Sequence, residues 1–224
     1  MIVSNKHPVI AREGWSYLAI VLLILVVNLI FFQPLLFVLE VALLGLLIMI
    51  FRDPARQIPA SPLGIVSPVD GKIVAVKSEQ NAFNQETFTR ITIKVAPLGV
   101  FAIRSPIEGK MVKQWYEESG GCHQYWNWVQ TDEADDILWT SRINRPSQTQ
   151  CYVQPGERVG QGQRCGFLPF GYQIDVWVPK NSSVNIKEGS NVRAGESILA
   201  FIVRQQSTAP ISDAETTLLA GNVS

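Results

Sequence analysis

Two apolar runs near the N-terminus constrain the fold of this chain more than any other feature. Residues 15–32 are apolar except for Ser16 and Asn28. Residues 35–51 are apolar except for Glu40. Each run holds 17 or 18 residues, close to the roughly 20 that a helix needs to cross the hydrocarbon core of a bilayer. A signal peptide is a poor alternative, because the apolar stretch is too long and no small-residue cleavage site follows it.

Gln33 and Pro34 separate the two runs and leave three arrangements open. Two short spanning helices, or a hairpin that enters one leaflet only, would leave both ends of the segment on the same side. One long helix kinked at Pro34 would leave them on opposite sides. Basic residues flank both ends, so the positive-inside rule favours a hairpin with both ends in the cytoplasm. These residues are Lys6, Arg12, Arg52 and Arg56. We expect Glu40 to lie near the turn, because a carboxylate that faces lipid is costly.

The charge balance of the chain excludes a strong electrostatic field. The 224 residues include 19 Lys and Arg against 19 Asp and Glu, which argues against a nucleic-acid partner. Only 17% of the residues are charged, and the apolar excess lies in the first quarter of the chain. The length suits one or two domains with a sizeable core.

The few histidines and cysteines limit the chemistry that the chain can assemble. His7 and His123 are too few for a multi-histidine metal site or an ordinary Ser-His-Asp triad. Cys122, Cys151 and Cys165 are widely spaced and odd in number. We interpret them as neither a disulfide framework nor a metal knuckle, and therefore as residues of a reducing compartment.

After the apolar runs, the hydrophobic pattern changes to a period of two, which is typical of strands with one buried face. Residues 65–76 predict a strand, a turn and a second strand, because Asp70-Gly71 is a strong hairpin signal. On this pattern alone, Asp70 is a turn residue. Residues 90–95 and 174–178 alternate in the same way and predict two further strands.

Related signatures indicate repeated strand–turn units. Ser-Pro-x-Asp-Gly-Lys at residues 67–72 is echoed by Ser-Pro-x-Glu-Gly-Lys at residues 105–110, and residues 186–200 have a Gly-x-x-Val-x-x-Gly shape. These features resemble the β-hammerhead of biotinyl and lipoyl carrier domains. A carrier needs a lysine at an exposed hairpin tip, and no such tip motif occurs. The sequence therefore predicts the architecture without the carrier function.

Five short motifs together resemble the short form of the phosphatidylserine decarboxylase family. They are Arg12-Glu13-Gly14, Phe51-Arg52-Asp53-Pro54, Ser67-Pro68-x-Asp70-Gly71, Arg104-x-Pro106-x-x-Gly109 and Phe170-Gly171-x-x-x-Asp175. On physical grounds alone, the first two are membrane-interface anchors, with aromatic and cationic side chains at headgroup depth. The resemblance spans roughly residues 12–203. It implies a phospholipid-metabolism protein whose family converts phosphatidylserine to phosphatidylethanolamine and CO2.

The resemblance also implies where the family's site lies. Family members cleave themselves between Gly and Ser, and the Ser becomes a pyruvoyl group. That bond corresponds to Gly171–Tyr172 here, so the serine is replaced by tyrosine. The self-cleavage Asp corresponds to Asp70, and the self-cleavage His corresponds to Phe101. The Asp of the Pro-x-Asp-Val-His motif is Gly99 in this chain.

The two replacements remove the chemistry of self-cleavage. The reaction begins when a β-hydroxyl attacks the preceding carbonyl through a five-membered ring, and Tyr172 places its oxygen across an aromatic ring where it cannot close that cycle. Phe101 cannot act as a general base. We therefore predict no pyruvoyl cofactor and no other cofactor or metal. Cleavage at a different serine stays open as an alternative. The candidates are Ser147, Ser182 and Ser183.

Residues 120–147 are rich in aromatic and acidic side chains. The aromatic rings either pack or contact lipid headgroups, and the acidic run is a solvated loop without calcium-binding spacing. The Asn-Glu-Arg motif that the family carries in this zone is missing.

Residues 205–224 are polar and small, and predict a disordered tail.

The sequence thus predicts a mainly β fold, with an antiparallel β domain of hammerhead-like units after an N-terminal apolar helical hairpin. We expect a membrane-anchoring hairpin at residues 1–56, a β domain at 57–204 that starts with a Pro- and Gly-rich linker, and a tail at 205–224. The expected location is a bacterial-type inner membrane, with the β domain on the cytoplasmic side. The expected partner is a phospholipid membrane, and homo- or hetero-oligomers stay open. Two functions remain: the family's decarboxylation, or a non-enzymatic relative that binds phospholipid headgroups or a partner protein.

Overall fold

The computed structural model describes residues 9–31, 33–80, 87–97, 99–119, 121–143, 151–169 and 173–204. A 3-10 turn at Arg12–Gly14 leads into helix α1, Trp15–Phe31, and helix α2 spans Pro34–Phe51. Thirteen strands follow within the described ranges. They are β1 Gly64–Val66, β2 Gly71–Gln80, β3 Thr87–Val95, β4 Ala102–Arg104, β5 Gly109–Ser119, β6 Cys122–Gln130, β7 Asp136–Ile143, β8 Arg158–Val159, β9 Arg164–Phe167, β10 Gln173–Pro179, β11 Ser182–Val184, β12 Asn191–Val192 and β13 Ile198–Ile202.

The two helices form a hairpin whose ends lie side by side. Ile10 and Arg52 make an antiparallel bridge, and the backbone N–H of Ala11 donates to the carbonyl of Phe51 over 2.7 Å. Both ends of the apolar segment therefore emerge on the same side. The single helix kinked at Pro34, which the sequence left open, is wrong.

Both helices are long and apolar enough to cross a membrane by length and composition, which is consistent with membrane association. Their one carboxylate within the described ranges is partnered. The side-chain amide of Asn28 donates to Glu40 over 3.2 Å and to the carbonyl of Gln33 over 3.4 Å. Glu40 therefore lies close to the turn, as the sequence predicts, and it shares a polar contact there instead of facing lipid alone.

The strands pair antiparallel in three sheets, which confirms the mainly β fold. The largest sheet has the order β12-β2-β3-β10-β7-β6-β5-β8, and the smaller sheets are β1-β13-β11 and β4-β9. Alternate side chains of these sheets meet in the main core, as the period of two requires. Fully buried members include Ile65, Ile93, Trp139, Val176 and Leu199.

The two Ser-Pro signatures fold into equivalent turns. The hydroxyl of Ser67 donates to the carbonyl of Val69 over 2.7 Å, and that of Ser105 donates to the carbonyl of Ile107 over 2.8 Å. In each turn the serine side chain thus satisfies a backbone carbonyl two residues later. A long antiparallel hairpin then follows each turn, β2–β3 after the first and β5–β6 after the second.

The two units interlock through reciprocal backbone hydrogen bonds. The N–H of Val66 donates to the carbonyl of Pro106 over 2.8 Å, and the N–H of Arg104 donates to the carbonyl of Pro68 over 2.9 Å. The short strand of each unit is thereby held by the turn of the other. This exchange confirms the prediction of related strand–turn units.

Within residues 121–143, the structure has strands β6 and β7 joined by a turn at residues 131–135. Trp139 is fully buried in the main core, and Trp126 packs with Trp177 in a second apolar cluster. The packing interpretation of these aromatic residues is therefore confirmed. The acidic run lies mostly in the β6–β7 turn, where Asp132 accepts two hydrogen bonds, of 2.8 and 2.7 Å, from Arg158.

The interpretation of the cysteines as unpaired is wrong for two of the three. Cys151 and Cys165 form a disulfide whose Cα atoms lie 4.6 Å apart, and both residues are buried. Cys122 lies outside the bridge. The sequence could not reveal this pair, because a separation of 14 residues becomes a contact only when strand β9 folds back beside residue 151.

Candidate functional site

Asp70 lies in the first Ser-Pro turn and holds several chain segments together. Its Oδ2 accepts a hydrogen bond of 2.7 Å from Nη2 of Arg56, and its Oδ1 accepts one of 2.8 Å from the N–H of Ala194. The N–H of Val100 donates to Oδ2 over 3.3 Å. Both carboxylate oxygens are therefore engaged, and the side chain is 17% exposed. This pattern is that of a structural carboxylate with a cationic partner.

Phe101 is buried in an apolar cluster at the base of the helical hairpin. The cluster also contains Ala11, Phe51 and Phe167, and residues of α2 pack against it. The rings of Phe101 and Phe167 meet edge to face at 6.3 Å between centroids, and Phe167 stacks on Phe51 at 5.3 Å. A phenyl ring in these surroundings contributes apolar packing between the β domain and the hairpin.

The structure brings the positions of Asp70 and Phe101 together. Asp70 accepts a hydrogen bond from the N–H of Val100, the residue before Phe101. The carbonyl of Phe101 accepts a hydrogen bond of 2.7 Å from the N–H of Leu168. The segment with the predicted cleavage position therefore starts beside Phe101. Gly171 and Tyr172 themselves lie outside the described residues.

Asp175 follows this segment in strand β10 and is fully buried. Its Oδ1 accepts hydrogen bonds of 2.7 Å from the hydroxyl of Thr92 and 3.0 Å from the side-chain amide of Gln173. Its Oδ2 lies 2.9 Å from Nη2 of Arg142. These partners belong to strands β3, β7 and β10, so Asp175 ties the sheet together just beyond the predicted cleavage position.

A buried ion network joins the hairpin to the β domain. Nη2 of Arg104 donates to Oδ1 of Asp53 over 2.7 Å, and its Nη1 donates to the carbonyl of Gly162 over 3.1 Å. Arg164 donates to Glu13 over 2.6 Å and lies 3.4 Å from Oδ2 of Asp53. Burial lowers the pKa of Arg104, and the charge of Asp53 opposes this shift.

This network changes the interpretation of the two motifs that flank the apolar runs. Glu13 and Asp53 face the β domain, so these motifs do more than anchor the chain at the headgroups. Sequence reasoning missed these contacts, because Arg104 and Asp53 are 51 residues apart and Arg164 and Glu13 are 151 apart. The sequence feature that could have indicated these contacts is the acidic residue in each motif, because a simple interface anchor does not need one.

Phe101 offers no proton acceptor at the position that the family resemblance gives to a histidine, and Asp70 is paired with Arg56 over 2.7 Å. Within the described residues, no three His, Cys, Asp or Glu side chains come together to hold a metal ion. The residues therefore do not fit the formation of a pyruvoyl group, and no reaction step is derived through one.

The fold and the site define a class: a two-unit interlocked β domain docked on an apolar helical hairpin, with its candidate site at the junction. The sequence model of the family described as phosphatidylserine decarboxylase matches residues 43–145 and 141–200. The chain belongs to the phosphatidylserine decarboxylase family.

Individual relatives agree with this membership. The chain is 33% identical over 208 residues to a phosphatidylserine decarboxylase proenzyme of Nitrosomonas eutropha, with 87% of this chain and 95% of the relative covered. It is 31% identical over 208 residues to the proenzyme of Nitrosomonas europaea, with the same coverage. It is 31% identical over 214 residues to the proenzyme of Burkholderia ambifaria, with 88% and 98% covered. Comparison with solved structures finds no match.

Proposed function

We propose that this chain is a membrane-anchored member of its family that serves phospholipid metabolism without cleaving itself and without decarboxylating a lipid. The observation that carries the proposal is the packing of Phe101. The ring occupies the position of the family's histidine and is embedded among Phe51, Phe167 and residues of α2. The site has been filled by apolar packing, which leaves no general base for the acyl shift.

The chemistry of position 172 supports the same conclusion. Self-cleavage needs a hydroxyl on the β-carbon, because only that oxygen closes a five-membered ring with the preceding carbonyl. Tyr172 has no hydroxyl on its β-carbon and no leaving group there for elimination. Asp70 keeps its place but is bound by Arg56 and Ala194, so its carboxylate maintains the turn. The chain then acts by binding phospholipid headgroups or a partner protein.

Membrane anchoring follows from the hairpin. Most side chains of α1 and α2 are exposed apolar groups, and such a surface is stable only in lipid or against another protein. Arg12 and Arg52 lie at the base of the hairpin and support an orientation with the β domain in the cytoplasm. The Cys151–Cys165 bridge is typical of an oxidising compartment and argues for the opposite orientation. Protease added to inverted inner-membrane vesicles should degrade the β domain, and protease added to spheroplasts should leave it intact. The reverse pattern would overturn this orientation.

The family's decarboxylation is the competing function, and membership with relatives that are proenzymes favours it. The intact mass of full-length protein purified in detergent separates the two. One chain of 24.9 kDa with no ethanolamine lipid formed from phosphatidylserine supports the proposal. Two chains would contradict it, and the mass of the smaller piece would identify the residue that replaces the serine.

A further inference from the structure

A groove of about 600 Å³ opens where the hairpin base meets the β domain. Arginines supply three of its lining side chains, namely Arg12, Arg158 and Arg164, and Tyr152 and Glu157 line it as well. Neither Asp70 nor Phe101 belongs to it. The groove is therefore a different place from the position of the family's self-cleavage residues.

The three arginines differ in how far their charge is already compensated. Arg164 is nearly buried, with 9% of its side chain exposed, and it binds Glu13 over 2.6 Å. Arg158 binds Asp132 through two hydrogen bonds of 2.8 and 2.7 Å. Arg12 is exposed, and within the described ranges no ion pair or hydrogen bond involves its side chain. The groove therefore holds one arginine without an ion pair in the described ranges beside two arginines that are already paired with carboxylates.

Two further contacts shape the groove for an oxygen-rich anion. The guanidinium of Arg164 lies 5.8 Å from the ring centre of Tyr152, and half of the Tyr152 surface is exposed. Glu157, the acidic lining residue, accepts a hydrogen bond of 2.8 Å from the backbone N–H of Gln154, which holds its carboxylate against its own turn. Arginine forks suit phosphate oxygens, which accept several hydrogen bonds at once.

The position of the groove identifies the source of such an anion. Arg12 lies three residues before Trp15, the first residue of α1. If the hairpin is in the membrane, the groove opens at the depth of the lipid phosphates, where anionic lipids accumulate around juxtamembrane cations.

We propose that this groove binds the phosphate of an anionic phospholipid headgroup, with Arg12 as the main charge and Tyr152 with Arg164 as its fixed wall. The inference rests on the membrane anchoring in the proposed function and specifies what the non-enzymatic chain binds. It assigns a headgroup site to residues outside the positions of the self-cleavage apparatus.

The test uses full-length protein in phosphatidylcholine nanodiscs, titrated calorimetrically with dihexanoyl phosphatidylglycerol, dihexanoyl phosphatidylcholine and inorganic phosphate. Wild-type protein should bind the phosphatidylglycerol and leave the phosphatidylcholine unbound. Arg12→Gln should weaken the binding by about tenfold or more, since a lost charged hydrogen bond exceeds the 1.4 kcal/mol that corresponds to about a factor of ten.

Arg52→Gln is the matched control, because Arg52 is another exposed cation at the hairpin base, bridged to Ile10, but does not line the groove. It should change the affinity by less than about twofold, as expected for general surface charge. Equal losses of phosphatidylglycerol affinity in the two variants would overturn the proposal that the groove is the binding site. Inorganic phosphate binding as tightly as phosphatidylglycerol would overturn the assignment to a lipid.

A second variant guards against misfolding. Tyr152→Leu keeps an apolar side chain in the wall but removes the ring and the hydroxyl. It should also weaken the binding of phosphatidylglycerol while leaving the unfolding midpoint unchanged. Unchanged affinity in Tyr152→Leu and Arg12→Gln together would refute the site. The intact mass of the same samples is read separately, so self-cleavage would overturn the proposed function without deciding the groove.

Discussion

Arg104 donates a hydrogen bond from Nη2 to Oδ1 of Asp53 over 2.7 Å, and the two side chains are 1% and 0% exposed. Arg104 lies in strand β4 of the second repeat, and Asp53 follows helix α2. Val66 is the equivalent position in the first repeat, because its N–H also donates to a carbonyl of the other unit. The β domain therefore departs from its internal symmetry at the point where it receives the hairpin.

Asp53→Asn should destabilise the protein more than any other change in this network. It leaves the buried guanidinium of Arg104 unpaired and removes one partner of Arg164. We expect a loss of about 3–5 kcal/mol in the free energy of unfolding, the range for a broken buried pair. Arg104→Met should cost less, because Asp53 keeps Arg164. Circular dichroism melting of full-length protein in detergent measures both. Asp132→Asn, at an exposed pair, should not shift the midpoint, and a wild-type midpoint for Asp53→Asn would refute the role of the network.

Self-cleavage should require two restored groups. Tyr172→Ser supplies the missing hydroxyl but no base, so the single variant should stay one chain. Tyr172→Ser with Phe101→His places an imidazole next to the segment held by Asp70, and we expect two chains by intact mass. The control Tyr172→Ser with Phe101→Ala opens the same space without a base and should stay uncut. Cleavage of the Tyr172→Ser single variant would show that Phe101 does not block the reaction.

Reduction should destabilise the β domain. The Cys151–Cys165 bridge closes a loop with a separation of 14 residues, and a loop of about 15 residues is worth roughly 3 kcal/mol in the chain-entropy description. Cys151→Ser and reductant on the wild-type protein should therefore lower the unfolding midpoint by similar amounts. Cys122→Ser should leave it unchanged. Identical melting with and without reductant would show that the bridge does not form in solution.

The equivalence of the two turns can be tested with two glycines. A Cβ at position 71 would lie 2.3 Å from the carbonyl oxygen of Lys94, and a Cβ at position 109 would lie 2.3 Å from that of Gln130. Gly71→Ala and Gly109→Ala should each cost about 1–3 kcal/mol, since backbone must move to relieve the overlap. Urea titration of the full-length protein measures these costs. A Cβ at position 160 would lie 3.4 Å from its nearest atom, so Gly160→Ala should be tolerated in the same titration. A neutral Gly71→Ala or Gly109→Ala would contradict the close approach.

Local patterns already specified much of the fold. The apolar runs at residues 15–32 and 35–51 predict helices, and the period of two predicts strands, because side-chain periodicity follows directly from backbone geometry. The Ser-Pro signatures predict related turns, because each serine closes a hydrogen bond within three residues of itself. These features depend on neighbours in sequence, so a single sequence carries them.

Some features of the candidate site are visible in the sequence, and others depend on contacts between distant segments. The resemblance that places Tyr172 and Phe101 at the family's serine and histidine positions is visible in the sequence, and what these two side chains cannot do follows from their chemistry. The packing role of Phe101 is not visible in the sequence, because its ring meets Phe51 and Phe167 only after the β domain docks on the hairpin. Likewise, the local sequence predicts only a turn role for Asp70, whereas its partners Arg56 and Ala194 come from distant segments.

The sequence by itself predicted two apolar helices, repeated β units, and a tyrosine and a phenylalanine where the family resemblance implies a serine and a histidine. The tertiary structure alone decided the pairing of Arg104 with Asp53, the Cys151–Cys165 bridge and the groove beside Arg12. The physical reason is that charge burial and side-chain contact depend on which distant segments exclude water together, and no local pattern encodes that choice.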